Sequence, residues 1–276
     1  MDSAVTSDGA VAVARLRQYI DQSERLVFFG GAGVSTESGI PDFRSPDGLY
    51  RQKYAYPPEE ILSRSFFNRR PELFFDFYRD KILHLDAKPN AAHEKLAELE
   101  KAGRLTAVIT QNIDGLHQAA GAQNVLELHG SVQRNYCVSC HRFYDAAAIA
   151  ASAGVPRCAC GGIIKPDVVL YEEALDDETM WQAQKHIQAA DLLIVGGTSL
   201  SVYPAAGLIR FFNRGPLVLI NKSETAYDQK ADLLINDGIA KVLSQIEVKP
   251  LISGGAAAAG VRQAGAGQAA DDPPGK

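Results

Sequence analysis

Short apolar runs alternate with amphipathic stretches along most of the chain, and this alternation constrains the fold more than any other feature. The runs are Arg25 to Gly30, Thr106 to Thr110, Val125 to Leu128, Asp191 to Gly196, Leu217 to Ile220 and Leu233 to Ile235. Each is too continuously apolar to leave one face in water, so each predicts a strand covered on both sides. Between them, apolar residues at helical spacing predict helices over Val11 to Gln22, Ala91 to Lys101, Asp177 to Ala189, Pro204 to Asn213 and Ile239 to Ile246. Strands and helices in this order build an α/β fold, a doubly wound parallel sheet with helices on both faces. Two insertions interrupt it. One, about 45–85, is rich in aromatic and charged residues and predicts helices; the other, about 131–162, holds every cysteine.

The expected organisation is a large domain of residues 1–45, 86–130 and 163–252 beside a smaller one of 46–85 and 131–162, with a cleft between them. Residues 253–276 are mostly Ala, Gly, Gln and Asp, too poor in apolar side chains to pack, and predict a disordered tail. At 276 residues, with 46% hydrophobic, the chain can bury its core without disulfides. Its 28 Lys and Arg against 33 Asp and Glu give a formal charge of -5, which offers no general attraction for nucleic acid or anionic lipid. Neither direct nucleic-acid binding nor membrane association is expected. Apolar runs such as Leu192 to Val195 fall far below the roughly 18 to 20 residues of a membrane-spanning helix. The opening segment MDSAVTSDGA lacks the basic and apolar regions of an export signal, so a cytoplasmic location is expected.

Cys137, Cys140, Cys158 and Cys160 lie within 24 residues and follow the pattern C-x2-C, 17 residues, C-x-C. In a reducing compartment such pairs favour metal over disulfide, and four thiolates suit a closed tetrahedral Zn(2+) site of the zinc-ribbon kind. A redox pair and four inert thiols are the alternatives, and neither accounts for two pairs a hairpin apart. The second pair has a single spacer, so Gly161 and Gly162 would have to supply the turn.

The first apolar run ends in Gly30-Gly31-Ala32-Gly33-Val34-Ser35, where small residues let backbone N–H groups approach a pyrophosphate, as in Rossmann-like folds. A glycine-rich turn alone leaves phosphate binding open. The sequence that follows, Ser38-Gly39-Ile40-Pro41-Asp42-Phe43-Arg44, is not the fingerprint of ordinary dehydrogenases. Together with GAGVSTESGIPDFR at 31–44, the chain carries TQNIDGLH at 110–117, LHG at 128–130, the cysteines, KPDVVLYEE at 165–173, GTSL at 197–200, and Asn221 with Asp228. In these motifs, across about residues 10–248, it resembles the sirtuin family of bacterial type, the NAD-dependent protein lysine deacylases. The resemblance implies a Rossmann-like domain and a helical and zinc-ribbon domain, with NAD and acyl-lysine peptide meeting in the cleft.

By that resemblance His129 is the general base, taking a proton from the ribose hydroxyls after the substrate's amide oxygen has attacked C1' and expelled nicotinamide. An imidazole suits the task at neutral pH, although a lone histidine at a strand end is more often structural. Asp114, with the backbone near Ile113, would hold the nicotinamide amide, while Gln111 and Asn112 contact the ribose and an ordered water. The structural alternative is that Asn112 and Asp114 cap the helix beginning at Gly115. Gly31, Ala32, Gly33, Ser35 and Thr36 match the phosphate loop; with Asp42 in the same motif, Arg44 would pair with a phosphate and Phe43 would shield the reacting ribose from water. Gly197, Thr198, Ser199 and Asn221 match phosphate and adenosine-ribose positions, and Lys222, Ser223 and Ile239 would lie along the adenosine.

Val169, Tyr171 and Glu172 match the segment that pairs as a strand with the substrate peptide, with Val202 across the acyl-lysine tunnel. The family usually has aromatic-Gly-Glu where this chain has Tyr171-Glu172-Glu173. The extra carboxylate either favours basic peptides or points away, and the second reading is preferred. Desuccinylating relatives carry Tyr-x-x-Arg; here Tyr78-Arg79-Asp80-Lys81 keeps the tyrosine and replaces the bidentate arginine by lysine. Deacetylation of acetyl-lysine-bearing proteins is therefore expected, with 2'-O-acetyl-ADP-ribose as product. Preference for longer neutral acyl chains, protein ADP-ribosylation and an inert NAD-sensing module are the alternatives.

Overall fold

A computed structural model of the protein describes residues 9–43, 48–49 and 55–251. Its elements in chain order begin with helix α1 (Gly9–Gln22) and strand β1 (Leu26–Gly30). A short helical module follows: α2 (Pro58–Ile61), α3 (Arg64–Arg69) and α4 (Pro71–Phe77), the last running into a wider turn over Tyr78–Ile82. Next come α5 (Ala91–Lys101), β2 (Leu105–Thr110), α6 (Leu116–Ala119), β3 (Val125–Glu127), β4 (Gly130–Cys137), β5 (Phe143–Tyr144), α7 (Ala146–Ala150) and β6 (Ile164–Val168). The chain closes with α8 (Asp177–Ala189), β7 (Leu192–Gly196), β8 (Leu217–Ile220), β9 (Leu233–Ile235) and α9 (Ile239–Leu243).

Six strands form one sheet in the order β3-β2-β1-β7-β8-β9, and every pairing in it is parallel. All residues of β1, β7 and β8 are buried, as strands covered on both faces must be. On one face Leu16 and Ile20 of α1, Leu96 and Leu99 of α5 and Leu243 of α9 pack on Phe28, Ile194 and Val218. On the other, Ala183 and Ile187 of α8 pack with Leu208 and Ile209 on Val27, Phe29 and Val195. This is the expected doubly wound, Rossmann-like sheet. The order reverses between β1 and β7, so their carboxyl ends open a crevice at Gly30 and Gly196, which are register partners.

The stretch 204–213, expected as an α-helix, is instead a tighter helix over Ala205–Phe211. Gly207 in its middle weakens α-helical geometry, and i to i+3 bonds such as Gly207 N–H to Pro204 C=O, 2.9 Å, replace it. The second sheet has the order β5-β4-β6 with antiparallel pairing. Residues 164–168, expected in the large domain, pair here with β4, because the chain leaving the second cysteine pair returns along the strand that entered the first. Phe66, Phe67, Phe74, Phe75 and Tyr78 of the helical module pack with Val132, Ile164 and Val168 of this sheet in one core. The tail expected at 253–276 lies outside the described residues, as does Arg44. Among the described residues no helix is long and apolar enough to cross a membrane.

Candidate active site

The crevice at the ends of β1 and β7 widens into a cleft of about 1550 Å³ running between the two sheets. That exceeds the roughly 300–1,000 Å³ of a site for one drug-sized ligand, leaving room for a dinucleotide and part of a second molecule. Gly31 to Gly33, Gln111 to Asp114, His129, Val169 to Glu172, Gly197 to Ser199, Val202 and Asn221 to Ser223 all line it. Ser35, Thr36, Asp42, Phe43, Tyr78 and Ile239 do so too. The described catalytic, cofactor and peptide positions singled out in the sequence therefore line one cavity, while the four cysteines lie apart from it.

The glycine loop is held against the end of β7. Gly33 N–H donates to the Gly197 carbonyl at 2.8 Å, and a Cβ on Gly33 would stand 2.8 Å from Gly197 Cα. No side chain fits there. Gly197, at φ 62, would clash more severely, with Val34 N only 2.4 Å from its added Cβ. The loop is thus closed by backbone contact and its face toward the cleft stays bare, as a pyrophosphate requires.

Three polar side chains behind that loop form one chain. Asn112 Nδ2 donates to Ser35 Oγ at 3.0 Å, and Ser35 Oγ donates to Asp114 Oδ2 at 2.6 Å. Ser35 and Asn112 are buried. The other oxygen of Asp114 accepts from Leu116 N–H at 2.9 Å, at the start of α6. Capping and site geometry are therefore one arrangement, since anchoring one oxygen on the helix aims the other at Ser35.

His129 lies just before β4. Its Nδ1 is 2.9 Å from the Gln111 carbonyl oxygen, which only accepts, so Nδ1 carries the proton and Nε2 is the basic nitrogen. Burial pushes the imidazole pKa below its ordinary value, outweighing the opposing effect of the bond to Gln111. The ring is therefore neutral at pH 7. Gln111 also donates from Nε2 to Thr198 Oγ1 at 3.0 Å, tying the base's support to the end of β7.

At the far end of the crevice Asn221 accepts from Thr198 N–H at 2.9 Å, while its buried Nδ2 has no protein partner. A buried donor of this kind needs an acceptor, and a ribose or phosphate oxygen would supply one. Tyr78 is fully buried with its hydroxyl unpaired, and burial raises its pKa. Sequence reasoning missed Ser35 as the bridge and the pairing of His93 on α5 with His117 on α6, whose rings lie 4.7 Å apart.

In the second domain the four cysteine sulfurs lie within 4.8 Å of one another. Cys137 and Cys160 are 3.4 Å apart and Cys140 and Cys158 are 3.5 Å apart, too far for a disulfide and near the roughly 3.8 Å edge of a tetrahedron of Zn–S bonds. Gly161, at φ 87, makes the turn after the shortened pair, its N–H donating to the Cys158 carbonyl at 2.8 Å. The donor set fits a structural zinc ion, with no ligand position left for catalysis.

A doubly wound dinucleotide domain, a four-cysteine ribbon and a half-buried neutral histidine in the cleft between them define a class of NAD-dependent enzymes. The Sir2 family model matches residues 31–204, and the chain belongs to that family of NAD-dependent protein deacetylases. It is 60% identical over 238 residues to an NAD-dependent protein deacetylase of Clostridium perfringens, covering 85% of this chain and 98% of the relative. A solved Sir2 variant with deacetylated p53 peptide and 3'-O-acetyl-ADP-ribose superposes with a TM-score of 0.78 at 40% identity, covering 84% of this chain and 95% of that one. A Sir2 homologue in complex with NAD gives 0.78 at 35% identity, covering 88% and 93%.

Proposed function

We propose that this cleft removes acetyl groups from lysine side chains of proteins and peptides, with NAD consumed and nicotinamide, free lysine and 2'-O-acetyl-ADP-ribose released. The observation that carries the reading is the commitment of His129 Nδ1 to the Gln111 carbonyl, which leaves a neutral imidazole with Nε2 as proton acceptor inside the cleft.

Bound NAD would supply an electrophilic ribose carbon, which becomes the acceptor of the acyl oxygen when nicotinamide departs. The glycine loop and the Asn221 amide would hold its phosphates and adenosine ribose, Lys222, Ser223 and Ile239 lining that end. Asp114 and the Ile113 backbone are positioned for the nicotinamide amide, with Asn112 kept in place by Ser35. These fixed dipoles favour the developing charge without reorganising during reaction. His129 then takes a proton from a ribose hydroxyl at Nε2, the step for which a neutral imidazole is needed. Phe43 lines the same cleft and is suited to keep water from the reacting carbon.

The peptide is assigned to the edge formed by Val169, Tyr171 and Glu172, with Val202 opposite. Backbone pairing there admits many sequences, so acetyl-lysine in varied contexts is the expected substrate. Tyr78 and Lys81 line the cleft with Ile82, and lysine lacks the planar fork that binds a carboxylate in bidentate fashion. Acetyl is therefore preferred over succinyl. Incubation of the purified protein with NAD and an acetyl-lysine peptide, followed by mass spectrometry, tests the assignment. Loss of the acetyl mass is expected; gain of ADP-ribose, or an unchanged peptide, would overturn it.

A further inference from the structure

We infer that Glu172 is a positioning residue, a clasp that fixes the helical module against the peptide-binding edge and so sets the affinity for the peptide; the inference rests on the deacetylase reading. Glu172 adopts φ 73, a left-handed backbone that side-chain-bearing residues rarely take. That conformation persists because its surroundings hold it. Both carboxylate oxygens are committed to one residue of α3: Oε2 accepts from Ser65 N–H and Oε1 from Ser65 Oγ, each at 2.9 Å. The carboxylate therefore points along the helical module.

The adjoining backbone continues the clasp. Tyr171 N–H donates to the Leu62 carbonyl and the Tyr171 carbonyl accepts from Arg64 N–H, both at 3.0 Å. On the other side, Val169 N–H donates to the His129 carbonyl at 3.0 Å. Glu173 secures the turn from beneath, accepting from Leu170 N–H at 2.9 Å and from Lys165 Nζ at 3.1 Å. Residues 169–172 are thus a strap tied to the catalytic histidine at one end and to α3 at the other. The Glu172 pair can be removed while every backbone-to-backbone bond of the strap stays in place, and the longer Arg64–Glu173 ion pair at 3.9 Å remains beside it. The module that this clasp holds contributes Leu62, Tyr78, Lys81 and Ile82 to the cleft wall, so its placement sets the width of the channel beside the strap.

The test is steady-state deacetylation by wild type, E172G, E172Q and S65A, on two acetyl-lysine peptides, one with neutral and one with basic flanking residues. E172G keeps the left-handed backbone without strain and removes only the clasp, so it should fold. The expected result is a peptide KM raised about fivefold or more in E172G, equally for both peptides, with NAD KM unchanged and kcat within about twofold. S65A and E172Q, each keeping part of the clasp, should fall between. The double variant E172G/S65A should be no worse than E172G alone, because both act through one contact. An unchanged peptide KM in E172G overturns the clasp. A KM rise confined to the basic peptide overturns it as well, showing direct contact of Glu172 with substrate. Additive effects in the double variant do the same. If wild type deacetylates neither peptide, the functional reading fails and the inference with it; activity in wild type with indifferent variants defeats the inference alone.

Discussion

His129 Nδ1 and the carbonyl oxygen of Gln111 stand 2.9 Å apart, a separation that settles which imidazole nitrogen can receive a proton. Because burial lowers the pKa of this ring from 6.5, the basic form is present throughout the neutral range. His129→Ala should lower deacetylation by about 10² to 10⁴ fold, the usual worth of a general base, while NAD binding followed by calorimetry is retained. In wild type, the acid limb of kcat/KM should have its midpoint below pH 6.5, the ordinary imidazole value, because burial lowers this pKa. A midpoint above pH 6.5 would contradict the assigned burial.

Ser35 joins Asn112 to Asp114, and removing its hydroxyl leaves a buried amide and a carboxylate each without that partner. Ser35→Ala should cost about 1–3 kcal/mol in urea denaturation and lower kcat more than it raises peptide KM. Equal kcat in the variant would show that the bridge does not aim Asp114.

Asn221 offers an unpaired buried Nδ2 to the cleft. In Asn221→Ala, NAD KM should rise about tenfold, equivalent to about 1.4 kcal/mol, with peptide KM little changed. The Thr198 backbone also loses its acceptor, so a small loss of thermal stability should accompany it.

His117 and His93 are buried together, and burial lowers their pKa values to about 3 and about 4, each from 6.5. The repulsion from His93 depresses His117 further, while Asp114 partly offsets the effect on His93. For such groups the unfolded chain binds protons more readily than the folded one, so stability is full above pH 6.5 and falls as the pH drops toward 4. The loss should reach on the order of 2 kcal/mol for His117 by pH 5. His117→Leu, which replaces two ring nitrogens that lack partners, should be neutral or stabilising at pH 7.5 and should flatten this dependence in denaturation at both pH values.

Metal analysis after dialysis should find about one zinc per chain, and chelation should lower the melting temperature by 10 °C or more, since metal binding contributes directly to folding. Less than half an equivalent would contradict a ligand set built on Cys158 and Cys160.

The sheet was legible because parallel strands buried on both faces read as unbroken apolar runs, and 217–220 and 233–235 have the bounds their pattern predicts. The helix expected at 204–213 was overestimated because periodicity registers an apolar face but not the loosening effect of Gly207. The pairing of β6 with β4 was not legible for a different reason: its partner is chosen by where the cysteine ribbon turns, a long-range choice absent from local pattern. The lining residues were found because short motifs concentrate them, whereas the Ser35 bridge joins segments 77 residues from Asn112 and 79 from Asp114. Glu172 was visible as an oddity, but only its backbone angle and its bonds to Ser65 say what it does.

Strand β4 begins at the residue after His129 and ends on Cys137, the first metal ligand. Eight residues, with a bulge between Ser131 and Asn135, therefore run from the residue after the proton acceptor to the first metal ligand. The ribbon is in effect the far support of a beam whose near end carries the imidazole. An engineer who exchanged the ribbon for another module would have to preserve that beam's length and register, even though no atom of the metal site approaches the substrate.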